Sequence, residues 1–118
     1  MDITSEYLHN LLFHEETGLL MKFHFGQGLD MEAVDRLYEA LEILKADWKD
    51  KSYLPKDLVF ILVDIVPALY CDLPAYVGTP EYDQYVEIFY NLSTAVSMCV
   101  NPDVNDMHFN KPLKDIGI

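Results

Sequence analysis

Apolar residues recur along this chain at two spacings, and the spacing sorts it into elements. Between residues 30 and 48, Met31, Val34, Leu37, Leu41, Leu44 and Trp48 fall three or four apart, with Glu32, Asp35, Glu39 and Glu42 between them. That pattern predicts an amphipathic helix with one buried stripe. Asp30, just ahead of it, is a good cap for the first free N–H groups, and Lys45 and Lys49 suit the negative end of the helix dipole.

Leu8, Leu11 and Leu12 predict a shorter first helix, capped by Thr4 or Ser5 and stopped at Thr17 and Gly18. Residues 19–25 alternate Leu19, Met21, Phe23 and Phe25 against Leu20, Lys22 and His24. A period of two predicts an extended segment, yet a lone strand lacks a partner, so extended chain and helix both stay open there. Gly26 and Gly28 then make a turn.

After a connection at 52–56, Pro55 starts a helix in which Leu58, Ile61, Leu62, Ile65 and Leu69 keep helical spacing. The segment is apolar nearly all round, which predicts the central and most buried helix. Pro67 should kink or end it, and a buried strand over 58–66 is the alternative. Asp64, the charge inside this segment, is read as structural rather than catalytic. It either bonds a tyrosine hydroxyl or a helix N-terminus, or reaches water through a gap.

Thr79 and Pro80 signal a last helix over about 80–100, with Tyr82, Tyr85, Val86, Phe89, Leu92, Val96 and Cys99 as its core stripe. Asn101 and Pro102 end it, and 103–118 reads as a loosely packed tail. These elements add up to an all-α fold class, a compact antiparallel bundle of about four helices with room for one short extended segment. A chain of 118 residues, 51% hydrophobic, makes one helical domain over 1–118 whose core needs no staple of disulfide or metal.

Charge narrows the function. With 8 Lys and Arg against 20 Asp and Glu, the formal net charge of −12 repels phosphate backbones and anionic membrane surfaces. Direct nucleic-acid and membrane binding are therefore not expected. The longest apolar run, 58–71, is broken by Asp64 and Pro67 and falls short of the roughly 20 residues a bilayer requires. The opening residues lack a basic region and apolar run, so a cytoplasmic location is expected, with Cys71 and Cys99 as two buried thiols.

Catalytic motifs are missing from the sequence. His9, His14, His24 and His108 include no i,i+4 pair, and Gly26-Gln27-Gly28 lacks the third glycine of a dinucleotide fingerprint. No catalytic residue, metal site or cofactor is expected, and the protein is not read as an enzyme.

The informative feature is distribution. From 57 to 110 there is no Lys or Arg, while Asp57, Asp64, Asp72, Glu81, Asp83, Glu87, Asp103 and Asp106 are all acidic. On the last helix Asp83, Glu87, Tyr90 and Asn91 share the face opposite the core stripe, with Glu81 ahead of them. Acids steer a basic partner, and a tyrosine gives desolvated contact area while its hydroxyl stays hydrogen-bonded. Asp35, Glu39 and Glu42 on the earlier helix are the second candidate surface.

Size, acidity, a helical bundle and Tyr90 beside Asp83 and Glu87 together resemble the small acidic immunity proteins with which bacteria neutralise toxic nucleases of the colicin and contact-dependent inhibition kinds. The resemblance implies stoichiometric inhibition of a basic toxin nuclease domain, without chemistry of the protein's own. The alternative is a helical assembly or scaffold subunit that self-associates, as a homodimer, or joins a complex without inhibiting anything.

Overall fold

In the computed structural model, which describes residues 2–101, the chain folds into five α-helices and one 3-10 turn. The tail at 103–118 lies outside the described residues. Helix α1 is Ser5–Phe13, α2 Leu19–His24, α3 Met31–Trp48, α4 Lys56–Asp72 and α5 Tyr82–Val100, with the 3-10 turn Leu73–Tyr76 between the last two.

Local chemistry explains most boundaries. Thr4 caps α1 by accepting from Tyr7 N, and Asp30 caps α3 by accepting from Glu32 N and Ala33 N. Between α1 and α2, His14 Nδ1 accepts from the N–H groups of Glu16 and Thr17, at 3.2 and 3.3 Å. That nitrogen is spent holding the turn. Gly18 closes the turn, where a Cβ would meet Leu12 O and His14 N at 2.6 Å, closer than any side chain could tolerate.

One open reading is decided and three need correction. Leu19–His24 is helical, because Leu19, Leu20 and Phe23 are buried at a spacing of one and four that a strand cannot turn to one side. Helix α4 runs through Pro67 to Asp72, and Pro55 sits at its cap position rather than inside it. Thr79 does not cap α5: its hydroxyl donates to Tyr76 O at 2.7 Å, and the helix begins at Tyr82. The core stripe of α5 is rotated, with Tyr85, Ile88, Leu92 and Cys99 buried, whereas Tyr82, Val86, Phe89 and Val96 lie at its margin.

The all-α bundle has four corners, α1 with α2 forming one of them. Helix α3 packs on α5 and α1, and α4 packs on α5, α1 and α2. Gly28, ahead of α3, lies against Tyr85 early in α5, and Leu41 O accepts from Cys99 Sγ near the end of α5, at 3.1 Å. These two contacts make α3 and α5 run parallel. The end of α4 returns to the head of α3, where His24 meets Asp72 and Phe23 stacks on Tyr76, so α4 runs the other way.

Tyr76 ties the ends together. Its hydroxyl donates to Phe23 O at 2.7 Å and accepts from Gly28 N at 3.0 Å. Its ring stacks on Phe23 at 4.5 Å, and Tyr85 meets both rings edge-on. Gly28 holds a φ of +82° with Tyr85 Oη within 2.8 Å of where a Cβ would stand, so any other residue is strained there and must displace the Tyr85 hydroxyl. Tyr76→Phe keeps the stacking but leaves the Gly28 N–H without its acceptor and Phe23 O with the Gly26 N–H alone, at 3.2 Å. It should lower unfolding free energy by about 1–3 kcal/mol in urea titration. An unchanged midpoint would show that water replaces the hydroxyl.

Helix α4 is not the buried centre. Leu58, Ile61, Leu62, Ile65 and Leu69 enter the core, but Phe60, Val63, Asp64, Pro67, Tyr70 and Cys71 are exposed. Asp64 thus reaches water. With the 3-10 turn, the span Lys56–Tyr76 is by length and composition alone long and apolar enough to cross a membrane, which corrects the shorter run read from the sequence. Its inner face is part of the bundle core.

Candidate functional site

Helix α5 forms a ridge with two chemically different flanks. One flank faces α3. Asp35, Glu39 and Glu42 on α3, Glu81 at the cap position of α5, and Asp83, Glu87 and Asn91 on α5 are all exposed, as expected. Tyr38, half-buried beside them, has its hydroxyl pKa raised first by burial and then by the negative charges of Asp35 and Glu87. Both carboxylates therefore lie close to one tyrosine, and the two surfaces read separately from the sequence meet along the α3–α5 seam. Glu42 lies farther along, near Cys99, whose thiol is pushed up to about 11 by burial and then by Glu42.

Among the described residues no ion pair reaches the acids of this flank. Among the described residues, the ion pairs are Lys22–Asp30 at 3.1 Å, His24–Asp72 at 3.1 Å and Arg36–Glu32 at 3.9 Å. None includes Asp35, Glu39, Asp83 or Glu87. Lys22 spends its charge on the α3 cap, where its hydrogen bond is the main cause holding the Asp30 carboxyl below its usual range.

The other flank is aromatic. Tyr70, Leu73, Pro74, Val77, Tyr82, Val86, Phe89 and Tyr90 line a groove of about 310 Å³ between the end of α4 and the start of α5. Tyr70, Val77 and Tyr90 are 68%, 63% and 64% exposed, so large apolar side chains stand in water around it. Phe89 sits between the two tyrosines, its ring centroid 6.1 Å from Tyr70 and 5.3 Å from Tyr90. Phe60 and Val63 continue the exposed apolar surface along α4. Contiguous exposure of this kind marks an interaction site more often than chance.

The face expected for Asp83, Glu87, Tyr90 and Asn91 is therefore divided. Glu87 leans to α3 and Tyr90 to the α4 groove, with Asp83, four residues before Glu87, on the same ridge. Phe60 and Val77 go unmarked in the sequence reading, and Tyr70 stands out there only as one of the tyrosines interleaved with the acids. The signal for Phe60 and Tyr70 is the all-round apolarity of 58–71, which reads equally as burial.

A second hollow lies between α1 and α4, lined by Ser5, Glu6, His9, Asn10, Lys56, Asp57, Phe60 and Ile61. Its charges are mixed, and no buried polar group points into it: among the described residues no buried side chain is polar or charged. Nor do the described residues gather three or more His, Cys, Asp or Glu in a geometry for a metal ion.

Cys71 is exposed, against the expectation of burial, while Cys99 is buried as expected and both are free. At pH 7.5 a thiol reagent should label one cysteine per native chain, Cys71, and two after denaturation. The raised pKa of Cys99 leaves almost no thiolate to react. Equal labelling rates at both positions would show that α5 opens readily.

A comparison of the chain with protein-family models, curated proteins and solved structures finds no match.

Proposed function

We propose that this protein binds a basic protein partner through the α5 ridge and blocks it by occupancy, the way an immunity protein neutralises a toxic nuclease. The observation that carries the reading is the juxtaposition of uncompensated acids with an open aromatic groove on one helix. Asp83, Glu87 and, across the seam, Asp35 and Glu39 supply the steering field. Tyr90, Tyr70 and Val77 supply apolar area that water solvates poorly and a partner side chain can cover. The same negative field that repels nucleic acid lets the protein cover a nucleic-acid-binding groove on its partner. The protein itself contributes no chemistry in this account.

The exposed apolar strip of Phe60, Val63 and Tyr70 on α4 favours a second reading, self-association or assembly through α4. Salt separates the two. The chain, immobilised, should capture its partner from the cells that make it, and the purified pair should associate more slowly as salt rises. Asp83→Lys with Glu87→Lys should slow association about tenfold at low salt and flatten the salt dependence, since steering of this kind acts mainly on the on-rate. Association indifferent to salt and to both reversals, together with a dimer in sedimentation that Phe60→Ser dissolves, would replace inhibition by assembly.

A further inference from the structure

We propose that the α4–α5 groove is a seat for an arginine side chain, which the basic partner lays against the rings of Tyr70, Phe89 and Tyr90. The walls give the first argument. Four of the residues lining the groove, Tyr70, Tyr82, Phe89 and Tyr90, are aromatic, and none of its lining residues is charged. The face of an aromatic ring is electron-rich and attracts a cation held over it, the more so as water leaves the contact. Tyr70 and Tyr90 are exposed, so ring surface is open to a ligand. A groove of about 310 Å³ lies at the lower end of the roughly 300–1,000 Å³ of ligand pockets, which is room for a single side chain.

Charge gives the second. Asp83 directly follows Tyr82 of the groove wall, and Glu87 stands three residues ahead of Tyr90. Neither acid has an ion-pair partner among the described residues. An apolar side chain fills the same space but gains nothing from these carboxylates. A guanidinium gains from both features: it is flat, it gives up its water more readily than an ammonium, and it stacks on a ring while the N–H groups at its edge still donate to a carboxylate.

Two other hollows compete for such a cation, and both are poorer seats. The one between α1 and α4 offers the acids Glu6 and Asp57, but with them Lys56, and its rings are His9 and Phe60 alone. The one where α1, α2 and α3 meet carries two cations, Lys22 and Arg36, against the single acid Asp30, with Tyr7 as its one ring. That the arginine belongs to a partner rests on the function proposed above. The preference of the groove for a guanidinium does not.

The test uses the full chain without any partner, so its failure leaves the partner hypothesis standing, and a failed capture leaves the groove's preference standing. N-acetyl-arginine amide, titrated into the chain, should move the ring resonances of Tyr70, Phe89 and Tyr90 and the methyl resonances of Val77 and Val86 along one saturable curve. The citrulline derivative has nearly the same shape without the charge, and it should bind about tenfold more weakly. Tyr90→Leu keeps apolar area but removes the ring face, and Asp83→Asn removes one charge; each should weaken arginine binding several-fold. Tyr53→Leu, outside the groove, should leave it unchanged. Equal binding of the citrulline derivative would make the groove an apolar seat and overturn the proposal. So would a lysine derivative that binds as tightly as arginine, shifts centred on His9 and Phe60, or the absence of any saturable shift.

Discussion

Leu41→Asp should leave the chain unfolded or aggregated, seen as lost helical circular dichroism and early elution from a sizing column. Leu41 is 2% exposed, at the α3–α5 contact where its own carbonyl accepts from Cys99 Sγ. A carboxylate there meets no cation, since none of the described buried residues is charged, and the nearby Cys99 thiol already donates to the Leu41 carbonyl. Burying an unpaired charge costs several kcal/mol even after relaxation, against about 5–15 kcal/mol of total stability for a domain of this size. Leu41→Ala keeps the site measurable and should cost about 2–5 kcal/mol. Phe89→Asp, which the sequence alone ranks as equally damaging, should instead leave a folded protein. Phe89 is half-buried at the groove wall, so a shorter carboxylate can turn to water. Complete unfolding by Phe89→Asp would mean that the groove is closed in solution.

That contrast shows which features the sequence carries. Helix α3 was legible in full, from the Asp30 cap to Trp48, because one wide stripe and a strong cap agree. Even there Met31 is exposed and Ala33 and Ala40 are buried, since small residues pack tightly at a seam without adding to a hydrophobic pattern. Residues 19–25 stay open in the sequence because seven residues are too few to separate a period of two from a period of 3.6 when five of them are apolar. Helix α4 misled outright. An all-round apolar helix can be buried on every side or can present one side to a partner, and composition is the same in both cases. The exposure of the acids was readable, because no cation or cap claims them locally. Their division between two flanks was not, for it follows from which neighbours α5 has: α3 brings Asp35 toward Glu87, and α4 brings Tyr70 toward Tyr90. The Tyr76 clasp joins residues about fifty positions apart and leaves no local trace.

Tyr90→Ala should mainly speed dissociation of the partner, weakening binding by about 2 kcal/mol, close to thirtyfold, if the ring fills the centre of the contact. The ring is 64% exposed and leans edge-on against Phe89, so the free protein loses little packing when it is removed, and the melting temperature should hold. Tyr70→Ala, on the facing wall of the same groove, should act alike. Tyr53→Ala provides the control, since this ring is 92% exposed in the connection between α3 and α4 and belongs to neither flank. The division of the ridge then becomes measurable. Substitutions on the acidic flank should move the association rate and its salt dependence, and substitutions on the aromatic flank should move the dissociation rate. If Glu87→Lys slows association while Tyr90→Ala and Tyr70→Ala leave dissociation unchanged, the partner is held on the α3 side of the ridge. Asp35 and Glu39 are then the residues to reverse next.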